Sequence, residues 1–342
     1  MRIAVIGAGS WGTAVSWLLG SKGIDVSLWC RECEIAESIN AAHRNPIYLK
    51  DVELPATVTA FCDFDRTLVD AEAVVVVTPS HGVRETTEHM APFLPASTPV
   101  INLSKGVEAG TTMRMTQVLE DVLGGRGRLA ALSGPNHAEE VGKGIPSATV
   151  VAAYDEGIGR FFADLFQAPA FRVYTNPDVV GVELGGASKN VIAVAAGMSD
   201  GVGYGDNSKA SLMTRGLAEM SRLGVKLGAN PLTYMGLSGM GDLIATCTSR
   251  HSRNRGLGEM LARGGTVESY TATTHMVAEG ATSAVTVDAL ADSVGIELPI
   301  THLARRIISG EVPVSAAREI LMGRPGTDEM HGLGLIVDEP AA

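Results

Sequence analysis

The feature that most narrows the fold lies at the start of the sequence. Arg2-Ile-Ala-Val-Ile6 is a short apolar run that ends directly in Gly7-Ala-Gly-Ser-Trp-Gly12. Thr13-Ala-Val-Ser-Trp-Leu-Leu19 then continues as an apolar-faced helix. A G-x-G-x-x-G pattern alone is weak evidence, but between a strand and a helix it is the setting of a dinucleotide turn. The first glycine makes the tight turn, the second lets the backbone approach a pyrophosphate, and the third lets helix and strand pack closely. N–H groups at the helix start then face the phosphates. Gly7, Gly9 and Gly12 are therefore cofactor-site residues, and Trp11 walls the cofactor or substrate cleft. The plainer alternative is a glycine-rich turn with Trp11 in the core.

A second strand, Asp25-Val-Ser-Leu-Trp-Cys30, arrives where a dinucleotide site usually offers Asp or Glu to the ribose. Here the next residue is Arg31, whose guanidinium suits a 2′-phosphate, so NADP(H) is favoured. Glu32 and Glu34 keep NAD(H) open, and Arg31 as an ordinary surface charge is the competing reading. Three more strands end in loops: Ala73–Val77 in Thr78-Pro79-Ser80-His81, Pro99–Leu103 in Ser104-Lys105-Gly106, and Leu129–Leu132 in Ser133-Gly134-Pro135-Asn136. Ser147–Val151 and Phe171–Tyr174 extend the sheet. In an open α/β sheet, ligands sit off the carboxyl ends of the strands. These loops thus point into one crevice, carrying Lys105, Gly134 and Asn136. His81 and His137 in the same loops read as polar surface.

Beyond Thr175-Asn-Pro-Asp178, strand patterns stop, and Asn176 and Pro177 look like a helix cap and first helical residue. The expected division is an α/β N-terminal Rossmann-type doubly wound sheet over 1–176 and an all-α domain over 177–342. The first long helix of the second half is unusually thin: from Gly185 to Gly197 it is mostly Gly, Ala, Ser and Val, around Lys189 and Asn190. Small residues on the Lys189 face admit another backbone or a ligand, at a cost in helix stability. A packed helix with a snorkelling lysine is the alternative. Leu237-Ser-Gly-Met-Gly-Asp242 sets a carboxylate at a helix start, either as a cap or in a site. Ser249-Arg-His-Ser-Arg-Asn-Arg255 gathers three arginines, and their forks match phosphate or carboxylate oxygens. From Gly323 onward the chain reads as a loosely held tail.

That arginine cluster is unusual in a chain of net charge −11, a balance that argues against nucleic acid as a partner. The 342 residues favour two domains over one core. No run approaches the ~20 apolar residues of a membrane span, and Met1 leads straight into a strand, which leaves no signal peptide. A cytoplasmic protein without membrane insertion is expected. Its four cysteines, Cys30, Cys33, Cys62 and Cys247, are read as reduced thiols, with no metal site.

Taken in order, Gly7–Gly12, Ser104-Lys105-Gly106, Leu184-Gly-Gly-Ala-Ser-Lys-Asn190, Gly205-Asp-Asn-Ser-Lys-Ala210, Gly239-Met-Gly-Asp242 and Ser252-Arg-Asn254 resemble NAD(P)-dependent glycerol-3-phosphate dehydrogenase across nearly the whole chain. The resemblance implies interconversion of dihydroxyacetone phosphate and sn-glycerol 3-phosphate, a step feeding glycerophospholipid synthesis. It implies that Lys189 is the proton donor and acceptor. Lys105, Gly134, Asn136, Asp242, Ser252, Arg253 and Asn254 take substrate contacts. Ser10, Trp11, Arg31, Lys105, Ala138, Arg253, Val277 and Glu279 take cofactor contacts. The family usually has Ser then Phe where this chain has Asn136 and His137, so the contact there is open. The partner expected is a small phosphorylated substrate, and a homodimer is compatible with the sequence. A hydroxy-acid dehydrogenase and a catalytically silent nucleotide sensor are the two rival readings.

Overall fold

The computed structural model describes residues 1–274, 278–329 and 331. Eight strands form one sheet: β1 (Arg2–Ile6), β2 (Asp25–Trp29), β3 (Val58–Phe61), β4 (Ala73–Val76), β5 (Val100–Asn102), β6 (Leu129–Ser133), β7 (Ser147–Ala153) and β8 (Phe171–Asn176). Their spatial order is β3-β2-β1-β4-β5-β6-β7-β8. All neighbours run parallel except β6 and β7. The order reverses between β1 and β4, which puts the ligand crevice off the carboxyl ends of those strands.

Helices cover both faces of the sheet: α1 (Ser10–Ser21), α2 (Cys33–Ala42), α3 (Phe64–Leu68), α4 (Val83–Met90), α5 (Met115–Leu123), α6 (Ala138–Val141) and α7 (Glu156–Phe166). The two-residue period of β1 explains the sandwich. Ile3 and Val5 join the core beneath α1, whereas Ala4 and Ile6 join the core beneath α4 and α5. The expected Rossmann-type sheet is thus present. The short, alternating edge strand β3 is an addition to the sequence reading.

The second half is helical: α8 (Val179–Gly201), α9 (Asp206–Lys226), α10 (Asp242–Thr248), α11 (Arg253–Ala262), α12 (Val267–Thr274), α13 (Glu279–Val294), α14 (Pro299–Ile308) and α15 (Ala317–Met322). The cap of α8 is Asp178 rather than Asn176; its carboxylate accepts from the Gly181 amide at 2.8 Å, while Asn176 accepts from the Asp178 amide. Helix α8 is the axle of this half, with 19 of its 23 residues buried. It is long and apolar enough to cross a membrane, contrary to the sequence expectation, but 89% of its most apolar window is buried inside the protein.

The thinness of α8 has a local cause. A Cβ on Gly197 would stand 2.0 Å from the Arg255 carbonyl oxygen of α11, and one on Gly258 would stand 2.0 Å from the Val194 oxygen. The two backbones cross with glycine on both sides. Nearer the sheet, a Cβ on Gly185 would meet the Ser238 oxygen at 2.6 Å. A buried ion pair fastens α8 to the sheet side. Arg114 pairs with Glu183, which also accepts from the Thr116 amide at 2.7 Å and the Thr116 hydroxyl at 2.6 Å.

One reading of the cysteines is corrected. Cys33 and Cys62 form a disulfide, with Cα atoms 5.1 Å apart, while Cys30 and Cys247 are free and buried. The parallel register Trp29↔Phe61 brings the ends of β2 and β3 side by side, so the first residue of α2 meets the residue after β3. The expectation of four reduced thiols fails because this pairing crosses strands, where sequence spacing carries no signal.

Candidate active site

At the switch point the glycine turn is built as its sequence requires. Gly7 has φ +122°, and a Cβ there would press on the Val77 oxygen at 3.0 Å. A Cβ on Gly12 would lie 1.8 Å from the Gly7 oxygen, which is the close helix–strand approach. Gly9 is the reverse case: a Cβ there meets nothing within 4 Å, so the outer side of the turn is open. Ser10 opens α1 and Trp11 packs partly against the core beneath it. At the end of β4, the Thr78 hydroxyl is buried without a hydrogen-bond partner among the described residues. An open glycine turn beside an unsatisfied hydroxyl fits a dinucleotide.

Charged groups meet across the two halves. Lys105, in the loop after β5, donates from Nζ to the Gly134 carbonyl at 2.9 Å and to Asp242 Oδ2 at 2.6 Å. Lys189, in the middle of α8, donates to Asp242 Oδ1 at 2.8 Å and to Thr246 Oγ1 at 2.6 Å. Asp242 therefore bridges two ammonium groups, one from each half. It is 2% exposed and Lys189 6%, which removes the snorkelling alternative. Asp242 is the first residue of α10, after the irregular Leu237–Gly241 turn, but its side chain caps nothing. Gly186 admits this arrangement, since a Cβ there would stand 2.6 Å from Ser133 Oγ and 3.3 Å from Lys105 Cγ.

Electrostatics follow from burial and pairing. Burial pushes the Lys189 ammonium down to about 8; Asp242 pulls it back up, and Lys105 pushes it down again. Burial pushes the Asp242 carboxyl up, but the two lysines overcome this and leave it below its ordinary value. The carboxylate stays ionised while the lysine is poised to exchange a proton near neutrality.

Other expected site residues fall into two groups. Ser252 caps α11, accepting from the Arg255 amide at 3.2 Å, and Arg253 is the exposed first residue of that helix. Arg253 acts electrostatically on Glu279 at the start of α13, whose carboxylate accepts from the Ser80 backbone in the loop after β4. Burial raises the Glu279 carboxyl against the pull of Arg253, Lys189 and Lys105. The start of α13 is thereby joined to the loop after β4. By contrast, the Asn254 amide donates to Asn190 Oδ1 at 2.9 Å, and its oxygen accepts from the Gly280 amide at 2.8 Å. The side chain thus ties α8, α11 and α13 together. Asn136 is likewise engaged, donating to the Ala148 carbonyl at 3.3 Å and accepting from Thr149 Oγ1 at 2.9 Å.

Gly134, at φ +154°, lies against Thr149 and offers its carbonyl to Lys105. Ala138 begins α6 and packs into the core beneath α1. Arg31, just after β2, is 82% exposed and bonded to Glu32 at 2.8 Å. Val277 lies outside the described residues. Arg255, part of the expected clamp by composition, is instead paired with Asp200 at 2.7 Å and with Glu259.

Two residues were passed over by the sequence reading. Thr246 sits one helical turn after Asp242, and that i,i+4 spacing was a usable signal. His137, read as surface, turns into the crevice toward His251, with ring centroids 6.4 Å apart. Burial and the nearby Lys189 lower its pKa. His81 is exposed.

The comparisons decide the family. The model of the NAD-dependent glycerol-3-phosphate dehydrogenase N-terminus matches residues 2–158, and that of the C-terminus matches residues 178–319. The chain belongs to the NAD-dependent glycerol-3-phosphate dehydrogenase family. It is 48% identical over 329 residues to the glycerol-3-phosphate dehydrogenase [NAD(P)+] of Moorella thermoacetica, covering 96% of this chain and 98% of the relative. It is 46% identical to the enzyme of the same name from Pelotomaculum thermopropionicum, covering 98% of this chain and 96% of the other. Among solved structures, glycerol-3-phosphate dehydrogenase from Coxiella burnetii superposes with TM-score 0.91 at 35% identity, covering 94% of this chain and 99% of that one. The sheet and helical domain described above are those of the family.

Proposed function

We propose that this dehydrogenase interconverts dihydroxyacetone phosphate and sn-glycerol 3-phosphate with NAD(P)H, supplying the glycerol backbone of phospholipids. We assign cofactor binding to residues 1–176 and substrate binding chiefly to residues 177–342, within the cytoplasm. The observation that carries the reading is the buried Lys105–Asp242–Lys189 bridge between the halves. A purely structural ion pair gains little from being built of two ammonium groups around one carboxylate at a nucleotide crevice, since burying such charges is costly.

The Gly7–Gly12 turn would hold the cofactor, with Ser10, Trp11, Ala138, Glu279 and Arg31 as its further contacts. When bound in reduced form, it would supply the hydride. Lys189 as ammonium donates a proton to the substrate carbonyl oxygen, and Lys105 stabilises the negative charge that grows on it. Asp242 fixes both amines in place. In the opposite direction, neutral Lys189 takes the hydroxyl proton. Arg253, with the donors of Ser252 and Asn254, holds the phosphate, and that remote grip positions the reacting carbon. Gly134 and Asn136 shape the wall between Lys105 and β7. The Arg31 guanidinium suits a 2′-phosphate and so favours NADP(H); its pairing with Glu32 would have to be given up, and NAD(H) stays usable.

The test is an optical assay of NADPH and NADH oxidation with dihydroxyacetone phosphate, unphosphorylated dihydroxyacetone and a panel of 2-keto acids. Turnover confined to the phosphorylated ketone is the expected result. Preference for a keto acid would transfer the clamp to a carboxylate, and no oxidation with any ketone would leave only a nucleotide-binding protein.

A further inference from the structure

A second cavity, about 870 Å³, lies in the helical half, away from the crevice, between α9, α14, α15 and the C-terminal half of α8. Its volume is in the range of small-molecule sites, ~300–1,000 Å³. No residue of the candidate active site lines it. Lys189 is ten residues before Ser199, or about 15 Å back along the same helix.

The lining is divided by chemistry. Met198, Ile300, Leu303, Ala304 and Ile307 give it an apolar floor, each less than 10% exposed within the fold. Arg215 and Arg222 from α9, Arg318 from α15 and Arg324 beyond it give it a cationic rim. Two carboxylates, Glu219 and Glu297, face these four guanidinium groups. Glu297 pairs with Arg324 at 2.9 Å. Glu219 is spent on the start of α14, accepting from the Ile300 amide at 2.7 Å and the Thr301 amide at 3.1 Å. Arg215 donates to the Glu329 carbonyl at 2.7 Å and Arg222 to the His331 carbonyl at 3.3 Å, neutral acceptors that bring no countercharge. Burial lowers the Arg222 pKa; Glu219 and Glu297 oppose this, while Arg215 and Arg324 add to it, so four guanidinium groups stand against two carboxylates. A net cationic rim is out of place in a chain of charge −11. Within the floor, the Ser199 hydroxyl is buried with no hydrogen-bond partner among the described residues.

We infer that this cavity is a second ligand site, taking a single-chain anionic amphiphile whose aliphatic chain lies on the Met198–Leu303 floor and whose carboxylate or phosphate meets the arginine rim. Guanidinium forks match both head groups. Fatty acids and singly acylated glycerol phosphates share this chemistry. The second class is what acylation of the proposed product yields, so the two sources have different meanings for the cell.

The test is calorimetric titration of the lipid-free full chain with dodecanoate, 1-dodecanoyl-glycerol 3-phosphate and the uncharged 1-dodecanoyl-glycerol, below their aggregation concentrations. Saturable one-to-one binding of at least one anionic ligand is expected, about tenfold or more tighter than the uncharged one, a ratio equivalent to ~1.4 kcal/mol. Whichever anionic ligand binds more tightly identifies the source. Ser211→Trp, at an exposed position that lines the cavity, should abolish binding while ketone reduction is unchanged. Arg215→Gln with Arg318→Gln should weaken the anionic ligands and leave the uncharged one unaffected. Equal affinity for charged and uncharged ligands overturns the proposal, as does binding indifferent to Ser211→Trp. Absence of saturable binding also overturns it, leaving the surface to a second copy of the chain. None of these failures bears on the dehydrogenase reading, which rests on the other site.

Discussion

Asp242→Asn is the sharpest test of the proposed mechanism, because it keeps the shape of the bridge and removes its charge. In the native protein Lys189 sits near 8, held down by burial and by Lys105 and held up by Asp242 at 2.8 Å. Without the carboxylate, burial and Lys105 lower the pKa against only the weaker raising influence of Glu279. Loss of an opposite charge at this range moves a pKa by about 1–3, which is ~1.4–4 kcal/mol of differential stabilisation. The sign is fixed: the folded protein then favours neutral Lys189 more strongly, so the ammonium survives only at lower pH. At pH 7.5 the protonated fraction falls from roughly three-quarters to between a quarter and well under a hundredth. Ketone reduction, which needs the proton, should slow by about threefold to a few hundredfold at that pH. Alcohol oxidation needs neutral Lys189 and gains up to about fourfold from protonation alone, set against whatever orientation is lost.

The assay is the pH profile of kcat/KM in both directions, followed by nicotinamide absorbance, with circular dichroism to confirm the fold. In the native enzyme the reduction limb should fall, and the oxidation limb rise, as pH passes about 8. In Asp242→Asn both limbs should move to lower pH. A limb that stays near its native position, or moves upward, would show that Asp242 does not tune Lys189. Equal loss in both directions at every pH would reduce Asp242 to a scaffold.

The remaining predictions address the other parts of the site and the scaffold. Lys189→Ala should lose turnover by about 10²–10⁴-fold while fluorescence titration shows cofactor affinity preserved; an unchanged rate removes it from the reaction. Arg253→Ala should raise KM steeply for dihydroxyacetone phosphate and leave the unphosphorylated ketone little affected, so comparable loss on both would count against a phosphate grip. Gly197→Ala places a Cβ 2.0 Å from the Arg255 oxygen, and thermal unfolding should show a loss of about 1–3 kcal/mol or more as α8 and α11 are forced apart. Reduction of Cys33–Cys62, which closes a loop with a sequence separation of 29, checked by the same method, should lower stability by up to about 4 kcal/mol.

What the sequence disclosed depended on how local the determining physics is. The turn at Gly7–Gly12 is written in adjacent residues, and the order strand, glycines, helix was enough to place it. The unbroken apolar run of β4 announced a buried parallel strand, whereas β3, with alternate residues exposed at the sheet edge, carried no comparable signal. The cysteine pairing depended on strand register, a relation between segments 29 residues apart that no spacing rule contains. His137 was misjudged for the same reason. Its loop position was correct, but the wall that buries it comes from the helical half, beside His251. Asn254 shows the opposite limit: the family motif marked it as a substrate contact, while its amide is already engaged with Asn190 and Gly280. One amide hydrogen is left for a ligand by the donor count.

The thin stretch of α8 joins these levels. Glycines 185, 186, 197 and 258 are costly inside helices, roughly 1 kcal/mol each relative to alanine, and each is occupied by a close neighbour. Gly197 and Gly258 bring α11 onto α8, which sets where the Ser252-Arg253 helix start stands. Gly185 admits the turn that carries Asp242, and Gly186 admits Lys105 from the other half. The lysine at position 189 is thus approached by a carboxylate, a second lysine and an arginine-bearing helix because small residues around it let three separate backbones come near. Enlarging any one of these glycines should displace one specific partner: Lys105 for Gly186, Asp242 for Gly185, the Arg253 helix for Gly197. The kinetic defects should differ accordingly, with proton transfer failing in the first two and phosphate grip in the third.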